Sequence, residues 1–135
     1  MSSIDENYLF EHLKVTIPDL SKPAINNRCY DAISEEDRLL IEFKCRRKHY
    51  NSMLIEKKKY FCLLEKSLEF GMRCLYINST PDGVFSFDLG RLPEPRWDMY
   101  SGPSKTHWQT GRKFVNKEVG YLSLKSAEDI THLFS

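Results

Sequence analysis

Asp31, Glu42 and Lys44 are the residues of this 135-residue chain whose types and spacing could do chemistry together. They fall in the stretch YDAISEEDRLLIEFK, residues 30–44, where an acid follows an apolar residue, a polar turn intervenes, and a second acid stands two positions before a lysine. Strand side chains alternate with period two, so a bent hairpin joining residues 29–33 with 39–45 points all three toward one spot. Hard carboxylate oxygens suit Mg2+, which keeps several waters and can bridge to a phosphate. Such an ion polarises a phosphoryl oxygen and lowers the pKa of a bound water, and an ammonium group beside it orients that water or offsets charge building up in the transition state. The trio is a candidate metal site for phosphodiester hydrolysis, with Asp31 and Glu42 as ligands and Lys44 as the ammonium.

In this arrangement the residues resemble the PD-(D/E)XK, or restriction-endonuclease-like, nucleases, whose signature is an acidic residue, a loop, then (Asp/Glu)-x-Lys on the next strand. Asp31, Glu42, Phe43 and Lys44 match it. Tyr30 stands where the proline of the signature's name would be, as it is replaced in many members. The resemblance implies an α/β (α+β) fold with a central mixed β-sheet flanked by helices. It also implies Mg2+ or Mn2+ held by the two acids, the Phe43 carbonyl as a further ligand, and Lys44 assisting the attacking water. A glutamate of the first helix often reaches the metal in that family, and Glu6 is the choice over Glu11. Glu-x-Lys by itself is common on surface strands as a solvated charge pair, so its weight comes from the elements around it.

Those elements can be read from pattern. Ser3 with Glu6 forms a capping box and opens a helix over residues 4–15, with Leu9, Phe10 and Leu13 as its apolar stripe. Glu6 either caps this helix or turns inward. Residues 16–28 carry two prolines and Asn-Asn and form a connecting loop. After the hairpin, a long amphipathic helix is expected over residues 52–69, ended by Gly71. Stepping about 100° per residue puts Lys57 at the centre of an apolar face made by Tyr50, Met53, Leu54, Tyr60, Phe61, Leu64 and Leu68. A lysine there needs a partner or a route to water, and the expectation is that Lys57 pairs with Asp31, Glu42 or a substrate phosphate and joins the catalytic set. Glu56 and Tyr60 have the spacing of a glutamine and tyrosine that related nucleases place on this helix. Residues 73–79 and 84–89 read as strands joined by the turn Thr80-Pro81-Asp82-Gly83.

Hairpin, long helix, strand, strand is the core order of the resembled nucleases, and it covers roughly residues 4–89 of a single domain, 1–135. The extension, residues 90–135, is loop-rich, with a strand expected at 118–124 and a terminal helix from Ser126.

The apolar fraction of 41% is ordinary for a globular domain, and the net charge of +1 confines any nucleic-acid contact to a local patch. That patch is Arg46, Arg47, Lys48 and Tyr50, bordering Lys44, supplemented by Lys105 and His107 beside Trp108. No apolar run is long enough to span a bilayer and no basic-then-apolar leader opens the chain, so the expected location is cytoplasmic, with no membrane partner. The four cysteines, Cys29, Cys45, Cys62 and Cys74, lack CxxC spacing and read as buried, reduced thiols. Neither a phosphate-binding glycine loop nor HExxH occurs. The function expected is a Mg2+-dependent nuclease, a DNA endonuclease acting alone, as a homodimer or with a protein partner. The alternative is a non-catalytic nucleic-acid- or protein-binding protein on the same fold.

Overall fold

The computed structural model describes residues 4–24, 29–103 and 114–134. Its first helix, α1 (Glu6–Thr16), begins two residues later than the capping-box reading, because Asp5 takes the N-cap and its carboxylate accepts the Tyr8 N–H at 2.8 Å. Ser3 lies outside the described residues. Leu9, Phe10 and Leu13 are buried, as their spacing requires.

Strands β1 (Ala32–Ser34) and β2 (Leu39–Cys45) form the expected hairpin, with Ala32 opposite Ile41. Strand β3 (Ser52–Glu56) follows, then α2 (Lys57–Phe70), β4 (Arg73–Thr80) and β5 (Gly83–Asp88). The helix read over 52–69 is thus a strand followed by a shorter helix. Residues 52–56 alternate half-buried and buried, and they pair antiparallel with β7 (Phe114–Ser123), a partner some sixty residues away that no local pattern reveals. The C-cap is as expected: Gly71 is left-handed, φ 65°, and its N–H returns to the last turn of α2.

The central sheet has the order β1-β2-β4-β5-β8 and is mixed, since β2 and β4 run parallel while the other pairs are antiparallel. Its last strand, β8 (Glu128–Asp129), and the short 3-10 turn Thr131–Phe134 occupy the region read as a terminal helix from Ser126, after another such turn at Leu124–Ser126. A second, antiparallel sheet has the order β3-β7-β6, where β6 is Asp98–Pro103.

Alternation along β2 sorts the core into two halves. Leu39, Ile41 and Phe43 pack with Leu9, Phe10 and Leu13 of α1. Leu40 faces the other way, toward Tyr60 and Leu63 of α2, Met53 and Ile55 of β3, and Leu122 of β7. By the same alternation Glu42 and Lys44 lie on the α2 side. The two halves bury Leu9, Leu40, Ile41, Ile55, Leu63 and Phe87 almost completely.

The expectation that all four cysteines are reduced fails for two of them: Cys29 and Cys62 form a disulfide, with Cα atoms 5.8 Å apart. It joins the segment that leads into β1 to α2. Cys45 and Cys74 are free thiols. Among the described residues, no helix is long and apolar enough to cross a membrane.

Candidate active site

The site is built around Asp31, one residue before β1. Its N–H donates to the Ile41 carbonyl at 2.8 Å, continuing the hairpin ladder, and its Oδ2 accepts the Phe43 N–H at 2.8 Å. The carboxylate thereby takes the ladder position that a backbone carbonyl would fill, so β1 departs from β2 here and leaves an opening at the sheet edge. Two other acids meet Asp31 from opposite sides. Glu6 comes from the first turn of α1 and, with Asn7, Phe10, Lys22, Asp31 and Phe43, lines a cavity of about 320 Å3. Glu42 approaches from the α2 side, with its side chain only 13% exposed.

Burial is the main force on both glutamates. It pushes the Glu42 carboxyl up to about 8, with repulsion from Asp31 adding to the rise and Lys59 opposing it. Glu6 is exposed as a residue, yet partial burial in the cavity, a hydrogen bond to Asp31 and its like charge push it up to about 7 against the pull of Lys22 and Lys59. Glu42 Oε1 is buried with no hydrogen-bond partner. A buried oxygen without a donor is costly, and a divalent cation is one chemical species that would satisfy it.

The donor set suits a hard ion. Among the described residues no three His, Cys, Asp or Glu side chains are gathered into a ready-made cage. Mg2+ needs none, since it retains several waters and is held by one or two carboxylates. Asp31 and Glu42 meet that requirement, and Phe43 and Glu6 stand beside Asp31.

Lys44 is exposed near the end of β2, on the same side of the strand as Glu42 by alternation. Lys57 is a correction. It does not join the acids: its Nζ pairs with Glu118 Oε2 at 2.8 Å, on the wall of a separate groove. The wheel that centred it on an apolar face ran through residues 50–56, which are not helical. The lysine beside Glu42 is Lys59, whose Nζ lies 3.5 Å from Oε2 and donates to the Cys29 carbonyl at 3.4 Å. Its signal is readable only with the helix start at Lys57, which puts Lys59 one turn before the buried Leu63. Glu56 is likewise turned away, pairing with Lys117 at 3.5 Å, and Tyr60 is buried against Trp97.

Of the expected nucleic-acid contacts, Arg47, Lys48 and Tyr50 are exposed. Arg46 is not available to a ligand in the same way. It is half-buried, and its guanidinium donates to Asn78 Oδ1 at 2.9 Å, to the Tyr76 hydroxyl at 3.0 Å and to the Leu54 carbonyl, tying β2, β4 and β3 together. Its parity is that of Glu42 and Lys44, so alternation turns it inward between the two sheets. Tyr76 sits in this network with its phenol pushed up to about 12 by burial. Lys105 and His107 lie outside the described residues.

No family model and no curated protein matches the sequence. Among solved structures, the chain is similar to Hjc of Archaeoglobus fulgidus, a Holliday junction resolvase from an archaeal hyperthermophile. The two are 16% identical, the match covers 96% of each chain, and the TM-score is 0.55. The chain has the restriction-endonuclease-like fold of the PD-(D/E)XK nucleases, with its central mixed sheet and flanking helices.

Proposed function

We propose that this protein is a metal-dependent nuclease that hydrolyses phosphodiester bonds in DNA. The observation that carries the reading is the meeting of Asp31 and Glu42 at the hairpin edge, with Glu42 Oε1 buried and lacking a donor, in a fold of nucleases. Asp31 and Glu42 would hold Mg2+ or Mn2+, with the Phe43 carbonyl as a further ligand and Glu6 reaching in from α1. Bound there, the ion would polarise the phosphoryl oxygen and lower the pKa of a water.

The rest falls to the chain's own side chains. Asp31, fixed by the Phe43 N–H, presents its second oxygen in a set direction. Lys44, exposed near the end of β2, would position the attacking water and offset the charge of the transition state. Arg47, Lys48 and Tyr50 follow β2 directly and would hold the phosphate backbone over the acids. The resemblance to a Holliday junction resolvase makes branched DNA the first substrate to try.

The test is cleavage of labelled single-stranded, duplex and four-way-junction DNA, and of RNA, by wild type and Glu42→Ala at matched purity. Cleavage that requires Mg2+ or Mn2+ and disappears in the variant supports the proposal. Binding without cleavage, unchanged by chelator and by the substitution, would replace it with a non-catalytic binding protein.

A further inference from the structure

Lys59 belongs to no part of the signature, yet it is the ammonium that touches Glu42. We propose that Lys59 is a positioning residue of the acidic site, holding the Glu42 carboxylate by Oε2 so that the group keeps its place beside Asp31. The inference rests on the nuclease reading above and adds to it a residue that acts through Glu42.

Three ties converge on one turn of α2. Lys59 Nζ reaches Glu42 Oε2 on β2 at 3.5 Å. The same Nζ donates to the Cys29 carbonyl at 3.4 Å, two residues before Asp31. Cys62, three positions further along α2, is covalently bonded to Cys29. The Lys59 side chain thus reaches both chain segments at the open end of the hairpin, and it is 29% exposed, far from the freedom of a surface lysine. Lys57, two residues earlier, is 41% exposed and directed to Glu118.

The split of Glu42 follows from this anchoring. One oxygen is engaged by the ammonium and the other is buried with no hydrogen-bond partner. Without Lys59 both oxygens would lack a fixed cationic partner, and the side chain would be free to leave the geometry that Asp31 requires of it. Asp31 and Glu42 also repel one another where they meet, and an ammonium beside Glu42 offsets that repulsion at short range. Lys44 and Lys59 therefore divide two tasks: Lys44, exposed near the end of β2, faces substrate and water, and Lys59, in the first turn of α2, sets a ligand.

The test compares wild type, Lys59→Met, Lys59→Gln and Lys59→Arg, measuring Mn2+ binding by calorimetry, cleavage of labelled four-way-junction and duplex DNA over a Mn2+ series, and thermal unfolding. A misplacement of about 1 Å at a reacting group costs on the order of 100-fold in rate. The expected result is a loss of that size for Lys59→Met and Lys59→Gln at saturating Mn2+. Mn2+ should still bind, since all three carboxylates remain. Lys59→Arg, which keeps a cation within reach of Oε2, should recover most of the rate. Wild-type rates in folded Lys59→Met and Lys59→Gln, with wild type binding Mn2+ and cutting, would overturn this inference and leave the nuclease reading standing. A wild type that neither binds Mn2+ nor cuts any of these substrates would overturn both.

Discussion

Two concave regions of this molecule carry opposite electrostatic designs. The larger, a groove of about 950 Å3 beside α2 and the paired strands β6 and β7, is lined by Lys57, Lys58, Lys66 and Lys117 together with Glu56, Glu65 and Glu118, and by Phe61 and Met99. Four of these charges are matched in two exposed pairs, Lys57 with Glu118 and Lys117 with Glu56. In the smaller region, at the hairpin edge, Asp31 meets Glu6 on one side and Glu42 on the other, and one carboxylate oxygen of Glu42 has no donor. Size favours the first as a functional site, and the nuclease reading proposed here rests on the second. Groups held away from their ordinary pKa in one cluster are what acid-base or metal chemistry at a site requires, whereas neutralised pairs in water contribute little.

The sharpest way to break this comparison is to exchange the consequences of mutation. Glu42→Ala or Asp31→Asn should lower cleavage on the order of 1000-fold, the size of effect seen when a group that stabilises transition-state charge is removed. Glu118→Gln, in the larger groove, should leave the cleavage rate at the wild-type level. Equal losses from both changes would remove the distinction.

A second difference lies in pH. In chelator, the folded protein holds a proton on Glu42 up to about pH 8 and on Glu6 up to about pH 7, whereas the unfolded chain releases both near 4.5. Between those values the folded state binds more protons, so stability is fully present below about pH 4.5 and falls as pH rises through 8. Urea unfolding from pH 5 to 9 should therefore show a decline on the order of a few kcal/mol, most of it from the buried Glu42 and little from the exposed, water-screened Glu6, so that Glu42→Gln removes most of it. The Glu42→Gln variant would then be the more stable protein at pH 9. A decline of the same size in Glu42→Gln would assign the dependence to other groups.

The disulfide joins the two regions, since Cys62 lines the large groove and Cys29 precedes Asp31 by two residues. With a sequence separation of 33, its removal by Cys29→Ser with Cys62→Ser should cost about 3 to 4 kcal/mol on the chain-entropy account. Denaturant midpoints with and without reductant check this. Because the bond also anchors the turn of α2 that carries Lys59, cleavage should fall as well.

Legibility followed the range of the interactions. The hairpin that places Asp31 opposite Glu42 is local, written in period-two alternation and a polar turn, and β4 with β5 is local in the same sense through Pro81-Asp82-Gly83. Strand β3 was hidden, because Met53, Leu54 and Ile55 suit either period over so short a run and the strand exists only through pairing with β7. That one boundary displaced the lysine. Moving the helix start to residue 57 removes the neighbours that seemed to surround Lys57, and Lys59 lies about 200° further round the helix. Arg46 was hidden by composition: it opens a basic run, and only the proximity of Tyr76, Asn78 and Leu54 turns it inward. The Cys29–Cys62 bond joins two segments whose closeness is set by packing on Leu40 and Leu63, not by any spacing between the cysteines.

The smallest expected effect tests the neutral side of the comparison. Lys57 and Glu118 are 41% and 46% exposed, so water screens their 2.8 Å contact and ordering two long side chains offsets part of its attraction. A double-mutant cycle of Lys57→Met with Glu118→Gln should give a coupling of about 0.2 to 1 kcal/mol that shrinks with added salt. A coupling several times larger and insensitive to salt would mean that the groove closes over this pair in solution. The contrast with the desolvated Glu42–Lys59 pair would then fail at its other end.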